Sequence, residues 1–147
     1  MLHLEGEKDL SQAPKDVWNK LGDTQFLAKC IPGVESVSDA LPDSLKCRIR
    51  PGFAFVRGTL ELMLSVTEKV SESFLRYLLH TKGIGSSSEV EATISLSPLG
   101  TGTRLHWMVE IKRLDGLLKM VPPGLIQAGA QKVIADAFAA IEARLNS

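Results

Sequence analysis

The chain has 147 residues, and its 17 basic and 17 acidic side chains give a formal net charge of zero at pH 7. This balance removes the general attraction by which basic proteins bind nucleic acid. No apolar run approaches the roughly 20 residues of a membrane-spanning helix. The length suits a full hydrophobic core, so we expect residues 1–147 to form a single domain.

The cysteines and the N-terminus favour a cytoplasmic protein. Cys30 and Cys47 have no partner at CxxC or CxxH spacing, which predicts two reduced thiols in or near the core. The first residues lack the apolar segment of a signal peptide.

The chain begins with one predicted strand and two short helices. Apolar and polar residues alternate over residues 2–10, which is the period of a half-buried strand. Each helix follows a residue that can cap it: Pro14–Leu21 after Ser11, and Gln25–Cys30 after Asp23 or Thr24.

From Val34 onward the apolar pattern changes to a period of two. Alternating or apolar segments between turn residues predict six further strands. They cover residues 34–41, 45–49, 60–66, 74–80, 90–96 and 105–111. The strand at 74–80 is apolar on both faces, so one face is a candidate contact in a homodimer.

The end of the chain predicts its longest helix. After Pro122-Pro123-Gly124, apolar residues recur three or four positions apart as far as Leu145, over about six turns. The one-sided strands indicate an antiparallel sheet with one wet face, which this helix would cover. The predicted fold is α+β: a curved antiparallel sheet of six to seven strands wrapped on a long C-terminal helix. Because a large sheet curls, we expect an apolar cavity beneath the helix.

Several segments also resemble one known family. They are Ala13-Pro14 with Val17-Trp18, Cys30 to Ser36, the loop from Ile49 to Thr59 with its central proline, and Gly102 to Leu105. They run in order over nearly the whole chain, which therefore resembles the CoxG family, named for the G-subunit of carbon monoxide dehydrogenase, in the START/Bet v 1-like (SRPBCC) superfamily.

The resemblance implies a helix-grip fold that holds a lipid, isoprenoid or quinone-like molecule between sheet and helix. It also implies a role beside a molybdenum hydroxylase such as carbon monoxide dehydrogenase. Some family members continue into a hydrophobic anchor, whereas this chain ends at Ser147, so we expect at most a peripheral contact with the inner face of the membrane.

Eight apolar residues are the predicted lining of the cavity. Phe53 and Phe55 lie on a Pro-Gly loop, where they either gate the cavity mouth or fold over the edge of the core. The others occupy inward positions of the strands or the helix: Leu62, Leu64, Ile94, Trp107, Ile134 and Phe138. A lining with few polar groups suits a hydrophobic ligand, although each residue singly also suits plain core packing.

We predict no catalytic residue, cofactor or metal site. His3, His80 and His106 lack the convergent spacing of metal ligands, and no nucleophile motif is present. The alternative is an enzyme of the polyketide cyclase or dehydratase type, which relatives of this fold include. That alternative needs an acid or base inside the cavity, such as an inward-facing His80 or Arg76.

The connection from Leu114 to Leu125 is unusually apolar. It either packs against the start of the last helix or forms an exposed lip that touches a membrane or a partner protein. An exposed lip would favour a third hypothesis, in which the chain is an assembly factor for a redox enzyme and the cavity is incidental.

Overall fold

The computed structural model describes residues 2–51 and 58–146. These residues form seven strands, three α-helices and one short 3-10 helix. In chain order they are β1 (Leu2–Leu10), α1 (Pro14–Leu21), α2 (Thr24–Cys30), β2 (Val34–Leu41), β3 (Ser44–Ile49), β4 (Leu60–Val70), β5 (Phe74–Gly83), β6 (Ser86–Leu99), β7 (Gly102–Gly116), the 3-10 helix (Leu117–Met120) and α3 (Pro123–Leu145).

The strands form one antiparallel sheet in the order β1-β7-β6-β5-β4-β3-β2. From β2 to β7 each strand lies beside its sequence neighbour, as expected for strands joined by short connections. The N-terminal strand is the exception, because β1 pairs with β7 from Leu2 opposite Ile111 to Leu10 opposite Thr103. This arrangement of sheet and helices confirms the predicted α+β architecture.

The two short helices begin differently. The carboxylate of Asp23 accepts a hydrogen bond from the backbone N–H of Gln25 at 2.9 Å, which caps α2. In α1 the N-cap is Ala13 and no side chain caps the helix, so the predicted cap by Ser11 is wrong. Ser11 lies instead beside Asn146 at the end of α3, where its hydroxyl donates to the amide oxygen at 3.4 Å. Proline suits the first position of α1 because its missing N–H would have no partner within the helix.

The long helix α3 approaches β1 and α2 most closely. Its first residue is Pro123, and Pro122 precedes it in an extended conformation. Within the described ranges, 2–51 and 58–146, no helix combines the length and apolar character needed to cross a bilayer.

Two apolar clusters fill the space between the sheet and the helices. The larger cluster joins α1, α2 and the C-terminal half of α3, including Val17, Leu21, Phe138 and Ile141, to the inward faces of the strands. The smaller cluster contains Leu4, Ile111 and Ile126 near the start of α3. Two half-buried residues, Trp107 and Ile134, pack against both clusters.

Candidate functional site

The inward face of β5 changes from buried to partly exposed along its length. Leu75 and Tyr77 are 0% and 4% exposed, whereas Leu79 and Thr81 on the same face are only half-buried. The hydroxyl of Tyr77 donates to the carbonyl oxygen of Leu21 at 2.6 Å, and burial raises the pKa of this phenol. The first half of the strand is thus closed by α1.

The next two strands show the same division. On β6, Ile94 is buried, whereas Val90 and Ala92 are half-buried. Their partners on β7 are Trp107 opposite Ile94, Val109 opposite Ala92 and Ile111 opposite Val90. Trp107 and Val109 are half-buried, whereas Ile111 is buried. Inward-facing apolar residues that are only half-buried are suited to contact with an apolar ligand.

We call this surface the open cleft, and we define it by Leu79, Val90, Ala92, Trp107 and Val109 on the sheet and Ile134 on α3. Among the described residues, α1, α2 and the C-terminal half of α3 pack over the other end of the sheet, whereas Ile126 of α3 packs at this end together with Leu114, Leu118 and Val121.

Trp107 occupies the junction between the closed core and the open cleft. Its ring centroid lies 6.0 Å from that of Phe138, with the two planes tilted by 37°. Gly6 on β1 faces the indole, and a Cβ atom there would lie 2.7 Å from Cζ2 of Trp107. The glycine therefore provides the space that the indole fills.

The structure separates the predicted lining residues into groups. Leu64, Ile94 and Phe138 belong to the larger buried cluster, and Leu62 is buried opposite Thr81. Trp107 and Ile134 border the open cleft. Phe53 and Phe55 lie outside the described residues. A ligand contact by any of the eight stays a prediction.

Sequence reasoning missed two polar residues on the inward face. Thr81 of β5 and Ser88 of β6 are directly opposite each other, and their hydroxyl oxygens are 2.5 Å apart. Both are half-buried. The available signal was the strand alternation itself, which places Thr81 on the face of Leu79 if the strand is extended past His80.

The two residues that would have favoured an enzyme both point outward. Nε2 of His80 lies 3.7 Å from a carboxylate oxygen of Glu89. The guanidinium of Arg76 lies 3.0 Å from Glu68 and 3.1 Å from Glu91, and the hydrogen bond to Glu68 contributes most to the raised pKa of this arginine. Neither side chain reaches the open cleft.

A second group of titratable side chains lies on the outer face of β1 and β7. His3 lies 3.3 Å from Glu5 and 3.5 Å from Glu110, and His106 lies 3.6 Å from Glu5. Across the part of the chain that the structure describes, no three histidine, cysteine or carboxylate side chains are arranged to hold a metal ion.

The two cysteines are buried and free. Burial raises the pKa of the Cys47 thiol. It also raises that of Cys30, although Arg144 and Lys29 partly oppose the shift. Because the thiolate is the reactive form, these residues are inert core thiols rather than nucleophiles.

The connection before α3 is divided between the two predicted arrangements. Leu114, Leu118 and Val121 pack against the smaller cluster. Leu117 and Met120 point outward and are 58% and 80% exposed. Ile84 in the β5–β6 turn and Leu125 at the start of α3 are also exposed, and we call these four residues the apolar end.

The amino-acid sequence matches the family described as the carbon monoxide dehydrogenase G-subunit (CoxG) over residues 6–146. No curated protein matches the sequence.

Solved structures share the fold. A conserved protein from Geobacillus kaustophilus is 25% identical, with a TM-score of 0.89 over 99% of this chain and 95% of its own. A START superfamily protein from Mycobacterium smegmatis is 12% identical, with a TM-score of 0.73 over 98% of this chain and 97% of its own. Mll3558 from Rhizobium loti is 18% identical, with a TM-score of 0.72 over 97% of this chain and 95% of its own.

These matches confirm the predicted helix-grip fold. The family match spans nearly the whole chain, so the protein belongs to the CoxG family of carbon monoxide dehydrogenase G-subunits.

Proposed function

We propose that this protein binds a lipid, isoprenoid or quinone-like molecule in the open cleft between the sheet and α3. The main support is a group of inward-facing apolar residues that are only half-buried, although Leu4, Leu62 and Ile111 beside them are buried. An uncovered apolar surface in contact with water is unfavourable by about 25 cal/mol per Å². A hydrophobic ligand would remove that cost.

The test is native mass spectrometry of the purified protein, followed by solvent extraction and lipid analysis. We expect a mass increase that corresponds to one molecule and an extract that contains it in equal amount to the protein. A bare mass, together with no thermal shift on addition of quinones, isoprenols or fatty acids, would contradict the proposal.

A ligand should also slow the exchange of amide hydrogens around the cleft. We expect protection to increase in the second half of β5 and the first half of β6, and to stay constant at Leu75 and Leu105 in the closed core. An equal increase in protection at both ends of the sheet would mean that the ligand does not bind specifically in the cleft.

The second candidate is an assembly or interaction role beside a molybdenum hydroxylase. The exposed apolar end favours it, because large apolar side chains grouped on a surface often mark a protein contact. The family name associates such proteins with carbon monoxide dehydrogenase. In this role the apolar end would contact the hydroxylase.

Co-purification tests this second role. The tagged chain should capture hydroxylase subunits from cells that make them, and the double variant Leu117→Ser/Met120→Ser should capture much less. Leu41→Ser is a matched control, since Leu41 is 56% exposed on β2, away from the apolar end. Equal capture by all three proteins would exclude the apolar end as the contact.

A further inference from the structure

The paired hydroxyls of Thr81 and Ser88 lie in apolar surroundings. In the sheet register Thr81 is opposite Leu62 of β4, and Ser88 is opposite Leu114 of β7. One step further along the same face are Leu79 and Val90 of the open cleft. The pair is therefore a polar point whose nearest inward neighbours are apolar.

The hydrogen-bonding capacity of the pair is only partly used. Two hydroxyls carry two hydrogens and several lone pairs, and the bond between Thr81 and Ser88 uses one hydrogen. Among residues 2–51 and 58–146 neither hydroxyl has another partner. One O–H donor and acceptor lone pairs therefore remain for a group that enters the cleft.

The surroundings also restrict the charge of such a group. Neighbouring inward positions carry uncharged side chains: Leu62, Leu79, Val90, Ala92, Val109 and Leu114. The inward lysine of β1, Lys8, lies 3.5 Å from Glu142 near the end of α3. These inward neighbours offer a charged head no opposite charge to replace its lost hydration, which is costly.

We propose that the Thr81–Ser88 pair is the polar subsite of the open cleft and that the ligand is an uncharged amphiphile. Its head carries a carbonyl or hydroxyl oxygen that accepts a hydrogen bond from the free O–H of the pair. Its apolar body lies along Leu79, Val90 and Trp107. This inference rests on the proposed function, because it assigns the ligand class of the same cleft.

Equilibrium dialysis with probes that share a ten-carbon chain tests the subsite. The probes are decan-2-one and decan-1-ol with neutral oxygen heads, decane with none, and decanoate and decyltrimethylammonium with charged heads. We expect the wild-type protein to bind the two probes with neutral oxygen heads most tightly. The double variant Thr81→Val/Ser88→Ala should bind decan-2-one and decan-1-ol about tenfold more weakly, the size of one lost hydrogen bond, and should bind decane unchanged.

Two further variants are the controls. Thr93→Val/Ser95→Ala makes the same chemical change on the outer face of β6 and should leave every affinity unchanged. Thr81→Ser/Ser88→Thr keeps both hydroxyls and should retain wild-type binding of decan-2-one. If the inner double variant does not fold, Thr81→Val and Ser88→Ala are measured separately.

The outcomes separate the two proposals. If decane and decan-2-one both bind, and the inner variants bind the ketone as well as wild type does, the proposed subsite is wrong. Ligand binding in the cleft would still be supported. If either charged probe binds more tightly than decan-2-one and decan-1-ol, the proposal of an uncharged head is wrong. If no probe binds the wild-type protein, the proposed function fails and the subsite fails with it.

Discussion

At the scale of single residues, Gly6 controls the position of Trp107. The variant Gly6→Ala places a methyl group against the indole, only 2.7 Å from Cζ2 of Trp107, which is too close without a shift. We expect the ring to move towards the cleft, with a loss of about 1–3 kcal/mol in the free energy of unfolding, typical of overpacking. Urea denaturation measures the loss. Tryptophan emission in a Trp18→Phe background reports the movement.

Gly124→Ala provides the matched control for this change. A Cβ atom at Gly124 meets nothing within 4 Å, so this substitution should leave the emission of Trp107 unchanged. An unchanged emission spectrum in Gly6→Ala as well would contradict the assigned packing of glycine against indole.

Tyr77 predicts how the protein responds to alkaline pH. Burial raises its pKa above the ordinary value of about 10. The unfolded chain therefore releases the phenolic proton first, so the stability contributed by Tyr77 is complete below about pH 10 and is lost as the pH rises further.

The chain contains one tyrosine, so ultraviolet absorbance of tyrosinate reports this residue alone. We expect no ionisation in the folded protein near pH 10, followed by ionisation together with loss of the circular dichroism signal. Ionisation near pH 10 with the fold intact would show that Tyr77 is accessible to water.

At the scale of elements, the two halves of α3 differ in burial: the C-terminal half packs in the larger cluster, and the N-terminal half borders the cleft. Ile141 is 6% exposed in the larger cluster, and Ile141→Ala should cost about 2–5 kcal/mol through the cavity it leaves. Ile134 is half-buried beside the cleft, so Ile134→Ala should cost less stability and should instead weaken ligand binding. Thermal unfolding with and without ligand measures both effects.

The opposite ranking, with Ile134→Ala the less stable variant and ligand binding unaffected, would mean that the cleft is closed core. Phe138→Ala extends the comparison, because Phe138 is buried in the same cluster as Ile141.

Periodicity predicted most elements, including β1, α1 and the end of α3 at Leu145. It underestimated β6 and β7, whose structural bounds are Ser86–Leu99 and Gly102–Gly116. Residues such as Ser86 and Ser87 carry no apolar signal. They extend the strand because Asp115 and Gly116 on β7 supply backbone partners. The local apolar pattern cannot predict a pairing with residues so distant in the sequence.

The candidate site was less predictable than the fold for a related reason. Alternation correctly placed Ile94 and Trp107 on the inward face, but it does not state what covers each position. Ile94 is buried and Trp107 is half-buried, and this difference depends on how the helices are placed over the sheet. The Thr81–Ser88 pair was missed because the hydroxyls meet only once β5 and β6 are in register.

At the scale of the whole molecule, the outer face of the sheet is covered by exposed ion pairs. Arg76, Glu68, Glu91 and Lys112 form one connected group, with side chains 25–48% exposed. Each exposed pair contributes about 0–1 kcal/mol, and the balanced net charge adds no overall repulsion.

We therefore expect stability to depend little on salt. Raising sodium chloride from about 0.1 M to 1 M shortens the screening length from about 10 Å to 3 Å, yet the free energy of unfolding should change by less than about 1 kcal/mol. Urea denaturation at both concentrations measures this change. A loss of several kcal/mol would show that the outer network, rather than the apolar core, holds the sheet together.

The pairing of β1 with β7 has a consequence for synthesis on the ribosome. Strands β2 to β7 are able to pair in succession as they emerge, because each meets the strand made just before it. β1 is made before the other six strands but must wait for residues 102–116 before it finds its partner. Contacts so distant in sequence form slowly, so the nascent chain holds β1 unpaired until β7 has been made, a state in which chaperones and aggregation compete with folding.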